Sequence, residues 1–139
     1  MKPTRIRIFT TGAALGIVAA ALPVAAHHST TMFAHDQVVS ISGVIKELHW
    51  TNPHVAIYVE GGKPGEQPAM WVLEMTSPGN LMRGGEWKRT SFKPGDKVNV
   101  NMAPLRDGRK GGALKLITNT ESGLSLKADL REQEGVVEK

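Results

Sequence analysis

The chain has 139 residues and no cysteine, which allows one domain and leaves it to stabilise itself by packing, without disulfides or thiolate ligands. Its formal net charge is +4, but all 13 acidic residues and only 14 of the 17 basic ones lie beyond position 26, so the balance there is +1. Bulk charge therefore gives no case for a nucleic-acid partner.

Residues 1–26 read as a signal peptide. Lys2, Arg5 and Arg7 form a positive start, Ile8 to Val24 is apolar and rich in small residues, and Val24-Ala25-Ala26 fits the small-x-small cleavage rule. Without a twin arginine, the general secretory route is expected. Cleavage after Ala26 gives a 113-residue chain beginning at His27, in the periplasm or outside a Gram-negative-type bacterium. Uncleaved, the same segment would be a membrane anchor, and no second apolar run of that length follows.

Residues 27–36 form a histidine-rich lead-in without periodicity. From Gln37 the pattern changes. Val39, Ile41, Gly43 and Ile45 alternate with Ser40, Ser42 and Val44, which predicts a strand, with Gly43 marking a bend or bulge. Thr51-Asn52-Pro53 breaks it, with Trp50 packing over the barrel end. Val55, Ile57 and Val59 predict a second strand, and Trp71, Leu73 and Met75 a third. Ser77-Pro78 reads as an N-cap followed by proline at the first helical position, and Gly84-Gly85 keeps that helix short. Lys93-Pro94-Gly95-Asp96 is a tight turn. Val98, Val100 and Met102 predict a fourth strand, Arg106 to Gly112 a basic hairpin loop, and Leu114 and Leu116 a fifth strand ending near Thr118. The glycine pairs at 61–62, 84–85 and 111–112 read as turns. Residues 121–139 read as a charged tail.

Three strands, a short helix and two more strands fit an all-β fold, a five-stranded Greek-key barrel of the OB type over residues 37–120. A meander or small sandwich is the competing topology.

The five histidines form two groups, His27, His28 and His35 in the lead-in and His49 and His54 around the first turn. Histidine is the commonest protein ligand for late transition metals. If cleavage follows Ala26, His27 carries an imidazole and a free amine titrating near about 7.7–8, and the two together chelate one ion. Nitrogen-rich tetragonal sites favour copper(II). In this respect the chain resembles exported histidine-brace copper proteins, in which a second histidine from elsewhere in the fold completes the site. His28 is poorly placed for that role, because neighbours in extended backbone point to opposite sides. His35, His49 or His54 is then the expected partner, with Met32 near enough to serve copper(I). Amine, backbone amide and His28 binding copper as a local chelate remains the other arrangement.

The rival reading is a metal-free adaptor or a barrel that binds a periplasmic protein or a glycan. Trp50 and Asn52 of the turn and Arg106 and Arg109 of the basic loop are its candidate ligand-binding residues, with Tyr58 and Trp71 as further aromatics. No serine-centred elbow or phosphate loop is present, and Glu47 and Glu74 read as solvated strand residues, so a binding module rather than an enzyme is expected. A copper oxidase would need a brace and more.

The motifs occur in a set order: H-H-S-x-x-x-F (His27 to Phe33), G-x-I-K-E-x-x-W-T-N-P-H (Gly43 to His54), W-x-L-E (Trp71 to Glu74), S-P-x-x-L (Ser77 to Leu81), P-G-D (Pro94 to Asp96) and P-L-R-D-G (Pro104 to Gly108). Together they resemble a widespread family of small exported bacterial proteins of unknown function. The resemblance covers nearly all of residues 27–118. It implies one exported β-domain and no particular activity.

Overall fold

The computed structural model describes residues 30–130. Residues 1–29, which include the expected signal peptide, His27 and His28, and the tail residues 131–139 lie outside the described residues. A 3-10 turn at Thr30–Met32 precedes strands β1 (Val39–His49), β2 (Ala56–Gly62) and β3 (Ala69–Glu74). Helix α1 (Pro78–Arg83) follows, then β4 (Lys97–Pro104), β5 (Gly111–Asn119) and β6 (Ser125–Lys127).

The strand order is β3-β2-β1-β4-β5-β6, and β3 also pairs with β5. That last pairing is parallel, Val72 to Gly111 through Glu74 to Ala113, and it closes five strands into a barrel. All other ladders are antiparallel. β1 is long enough to pair with β4 along its first half and β2 along its second, the Greek-key arrangement of an OB barrel.

Period-two alternation explains the interior. Ile41, Ile45, Ile57, Val59, Leu73, Val98, Val100 and Met102 are all buried in one cluster, and Leu81 of α1 joins it. The Ser77 side chain accepts from the backbone N–H of Asn80, and Pro78 occupies the first turn, as the sequence suggests. In β5 the alternation is interrupted. The register shifts between Asn101 and Met102, opposite Lys115, so Leu114 and Ile117 are buried while Leu116 is half-exposed on the outer face. In β1 the bulge falls at Ile45/Glu47 rather than at Gly43.

Two glycine pairs are not turns. Gly61-Gly62 ends β2 and Gly111-Gly112 begins β5. Gly61, Gly111 and Gly112 sit where strands approach too closely for a side chain. A Cβ on Gly111 would lie 2.7 Å from the Val72 carbonyl oxygen, and one on Gly112 2.9 Å from the Ala103 carbonyl carbon.

The segment 121–130 departs from the expected start of a charged tail. β6 extends the sheet beyond β5, Leu126 enters the core, and Ala128 and Leu130 are buried.

The turn before β4 is held by Asp96, whose side chain is 8% exposed. It accepts from the Lys93 backbone N–H at 2.9 Å and from Lys93 Nζ at 2.8 Å. Its carbonyl accepts from Ile45 N–H at 2.9 Å, beside the β1 bulge. Burial by itself would raise the carboxyl's pKa. The hydrogen bonds from Lys93 and Asn119 and the Lys93 charge outweigh it and hold the group below its usual 3.8. A depressed carboxyl contributes stability that is present above its unfolded pKa and lost as pH falls through the folded one. Acid unfolding of the wild type should therefore show a loss of stability below about pH 4 that Asp96→Asn lacks. At neutral pH the variant is expected to cost about 1.5–3 kcal/mol, the range for hydrogen bonds to charged groups. Urea melts across pH 2.5–7 measure both; parallel stability–pH curves for the two proteins would refute the assignment.

Candidate functional site

The lead-in, from Thr30 onward, is part of the folded body. Phe33 bridges Leu105 just beyond β4, the Ala34 N–H donates to the Pro104 carbonyl at 2.8 Å, and the Arg106 N–H donates to the Met32 carbonyl at 2.9 Å. Residues 32–34 thus extend the edge that β1 makes with β4, after a short excursion at 35–38. Phe33 and Ala34 are buried. Phe33 lies in a second apolar cluster with Ala103, Ala113 and Leu130, on the outside of the barrel, and Met32 and Leu105 pack against it. A flat floor makes this possible: Ala103 and Ala113 are small and paired across β4 and β5.

His35 follows this anchor. Its ring meets Phe33 edge-on at 5.9 Å, and its carbonyl accepts from Lys115 Nζ at 2.8 Å.

His54 follows the cis peptide bond between Asn52 and Pro53. Val55 is fully buried, so His54 and Ala56 on either side of it turn outward by the strand period. His54 Nδ1 lies 3.8 Å from Glu74 Oε2, with side chains 20% and 32% exposed. That separation is longer than a hydrogen bond. Glu74 pairs with Ala113 across the closing ladder. Neighbouring strands are about 4.8 Å apart, so the His54–Glu74 pair stands one strand away from the cluster that anchors the lead-in.

His49 faces elsewhere. Its Nε2 is 2.8 Å from Glu47 Oε2, and its ring packs against Tyr58 with centroids 4.7 Å apart. It belongs to the outer face of β1 and β2, and half of its side chain is exposed. The structure therefore sorts the candidate ligands into His35 on the docked lead-in, His54 on the neighbouring rim, and His49 on the β1–β2 face. Among the described residues no group of three or more His, Asp or Glu side chains could hold a metal ion. His27 and His28 lie outside the described residues.

The residues proposed for an organic ligand have other partners. Trp71 is buried and its indole N–H donates to the Gly61 carbonyl at 3.0 Å; Lys110 Nζ sits 4.9 Å above its ring. Trp50 packs against the core. Asn52 is exposed at the turn. Arg106 holds the lead-in, its Nε donating to the Thr31 carbonyl at 3.1 Å while Nη2 lies 3.9 Å from Asp36. Arg109 folds back on Asp107, with Nε donating to Oδ2 at 2.7 Å and its backbone N–H to Oδ1 at 3.0 Å. Those bonds, the backbone one foremost, keep the Asp107 carboxyl below its ordinary pKa.

Sequence reasoning passed over Glu74 and Phe33. Glu74 lies between two core positions and reads as a solvated strand residue; only pairing with the turn reveals its contact with His54. Phe33 is a lone aromatic in a segment without periodicity.

The closed five-stranded Greek-key ring, with a short helix between β3 and β4, makes the protein a small barrel of the OB type. The chain belongs to a family of unknown function (DUF6152), whose model matches residues 14–115. This bears out the expectation of an uncharacterised family. No curated protein and no solved structure matches the chain.

Proposed function

We propose that the protein is an exported binding module for copper or another late transition metal, with His27 as the primary ligand and His54 as the ligand contributed by the barrel. The observation that carries this reading is the docking of residues 32–34 beside the His54–Glu74 pair. Thr30 is three residues from His27, so the first residues of a chain cut after Ala26 are tethered to this rim. The amine and imidazole of His27 supply two nitrogens. The imidazole of His54 supplies a third through Nε2, the nitrogen turned away from Glu74. A carboxylate beside the other ring nitrogen is the usual companion of a ligating histidine and fixes its orientation. Metal holding or delivery, rather than turnover, is the role such a site serves. His28 and His35 stand as auxiliary ligands, while His49, engaged with Glu47 and Tyr58, is the least suited.

The test begins with the intact mass of the exported protein, which should correspond to a start at His27. Copper(II) titration followed by electron paramagnetic resonance should then show nitrogen-rich binding tighter than micromolar. His27→Ala should abolish it. Glu74→Gln should weaken it about 10–100-fold, the range for orienting carboxylates, and His54→Ala by at least as much. Full affinity in a peptide of residues 27–36 would point to a local chelate instead of a folded site. No such binding in the wild type ends the metal reading.

A further inference from the structure

We infer that the outer face of β1, β4, β5 and β6 binds a neutral glycan strand. The ladders set its side chains in rows. Ser42, Asn99, Thr118 and Ser125 lie directly opposite one another across the four strands. The next row, two residues along, is Ser40, Asn101, Leu116 and Lys127. All eight are exposed or half-exposed.

Three features set this face apart. The first is composition. Its two rows carry one cation, Lys127, and no carboxylate, in a protein with 22% charged residues. Lys97, one step beyond Asn99 on β4, is ion-paired with Glu121 at 3.0 Å, and Lys115 donates to the His35 carbonyl at 2.8 Å. The face of β1 and β2 shows the ordinary alternative, with the Lys46–Glu60 pair at its surface. Rows with a single cation, flanked by lysines that are already engaged, give little attraction to a nucleic acid or another ionic polymer.

The second is the choice of asparagine. Asparagine is depleted in strands, because its side chain competes for the backbone. β4 nevertheless places two of them, at alternate positions, on the outside. Local propensity is violated most often where a function requires it.

The third is donor orientation. The Ser40 hydroxyl donates to Asn101 Oδ1 at 2.8 Å, and the Ser42 hydroxyl donates to Asn99 Oδ1 at 2.8 Å. Both amides are therefore held the same way, each with its NH2 group turned from the serine. The unit repeats at about 6.8 Å along the strand, two residues of antiparallel rise. Thr118 and Ser125 add a second hydroxyl pair, 2.8 Å apart. Side chains already fixed by these bonds lose little freedom on binding. Sugar hydroxyls are both donors and acceptors, and they match fixed amide NH2 groups and serine oxygens. Leu116, between Asn101 and Lys127, offers an apolar spot for the C–H face of a sugar ring. A protein partner would call for aromatic or arginine anchors, and these rows contain none.

The experiment titrates the chain from residue 27 to residue 139 with two neutral hexasaccharides, chitohexaose and maltohexaose, in 1H–15N NMR. The expected result is saturable shifts in the side-chain amides of Asn99 and Asn101 and in the backbone of Ser40, Ser42, Thr118 and Ser125, with at least one sugar. Asn99→Ala/Asn101→Ala should bind that sugar about tenfold more weakly and unfold at the wild-type temperature. No shifts at millimolar sugar, shifts confined to β2 and β3, or unchanged affinity in the double variant would each overturn the inference. Loss of copper binding leaves these outcomes unaffected, since the face shares no residue with the metal rim.

Discussion

Replacing Gly61 by alanine is expected to prevent the barrel from forming. Gly61 pairs with Gly43 where β2 crosses β1. A Cβ there would overlap the Ser42 carbonyl oxygen and lie 2.6 Å from the Gly43 Cα. A Cβ on Gly43 would in turn press on the Glu60 carbonyl, with its carbon 2.9 Å away. These neighbours are backbone, so no rotamer change relieves them. Either the β1–β2 ladder opens or the core it supports is lost. A cost above about 4 kcal/mol follows, at the extreme of single substitutions and comparable with the whole stability of many domains. Gly62→Ala is the control, because its nearest neighbour would be 3.5 Å away. Circular dichroism and urea melts should show Gly61→Ala largely unfolded and Gly62→Ala close to wild type. A folded Gly61→Ala protein with wild-type stability would contradict the strand crossing.

Phe33→Ala should produce the second large effect, and it bears on function. The side chain is 2% exposed and fills the cluster over Ala103 and Ala113. Truncating a buried phenylalanine costs about 3–5 kcal/mol, part transfer and part cavity. The main core is untouched, so the loss should appear as detachment of the lead-in together with a lower melting temperature. If the proposed site is right, copper affinity should fall toward that of the isolated 27–36 peptide, while Phe33→Leu retains most of it. Thermal melts and copper titrations of the two variants decide the matter. A destabilised Phe33→Ala protein with undiminished copper affinity would separate the lead-in's docking from metal binding.

The barrel was legible because strand alternation carries it. Val55 to Val59 and Val98 to Met102 each bury every second residue, β1 buries Ile41 and Ile45 with Val39 partly covered, and Ser77-Pro78 announces α1. What escaped sequence reading depends on contacts between distant segments. β6 has three residues and a single buried side chain, Leu126, too few for a period to emerge. Glycine pairs look alike in a turn and in a tight strand crossing; only the partner backbone separates the two. Leu114 and Leu116 suggest a shared face, which the bulge opposite Lys115 removes. The aromatic residues expected for a ligand face divided by burial. Trp71 entered the core, while Tyr58 stayed half-exposed against His49. Of the metal candidates, the sequence identified the histidines but could not pair His54 with Glu74, because that pair joins β3 to the turn before β2.

The indole of Trp87 has a consequence for how this protein behaves in company. Closing the ring leaves β6 as the terminal strand of the described sheet. The Ala128 N–H donates to the Lys115 carbonyl, which makes Leu116 and Lys127 a pair without mutual hydrogen bonds. The Lys127 carbonyl therefore faces away from β5, where an incoming strand would look for it. Trp87 Nε1 donates to that oxygen at 2.7 Å, and the ring is backed by Phe92. An open strand edge is a template for aggregation, and natural sheets shorten or cover theirs. Here the edge is three residues long and its last acceptor is taken by a side chain from the α1–β4 connection. A crowded compartment full of extended chains then finds little on this barrel to copy.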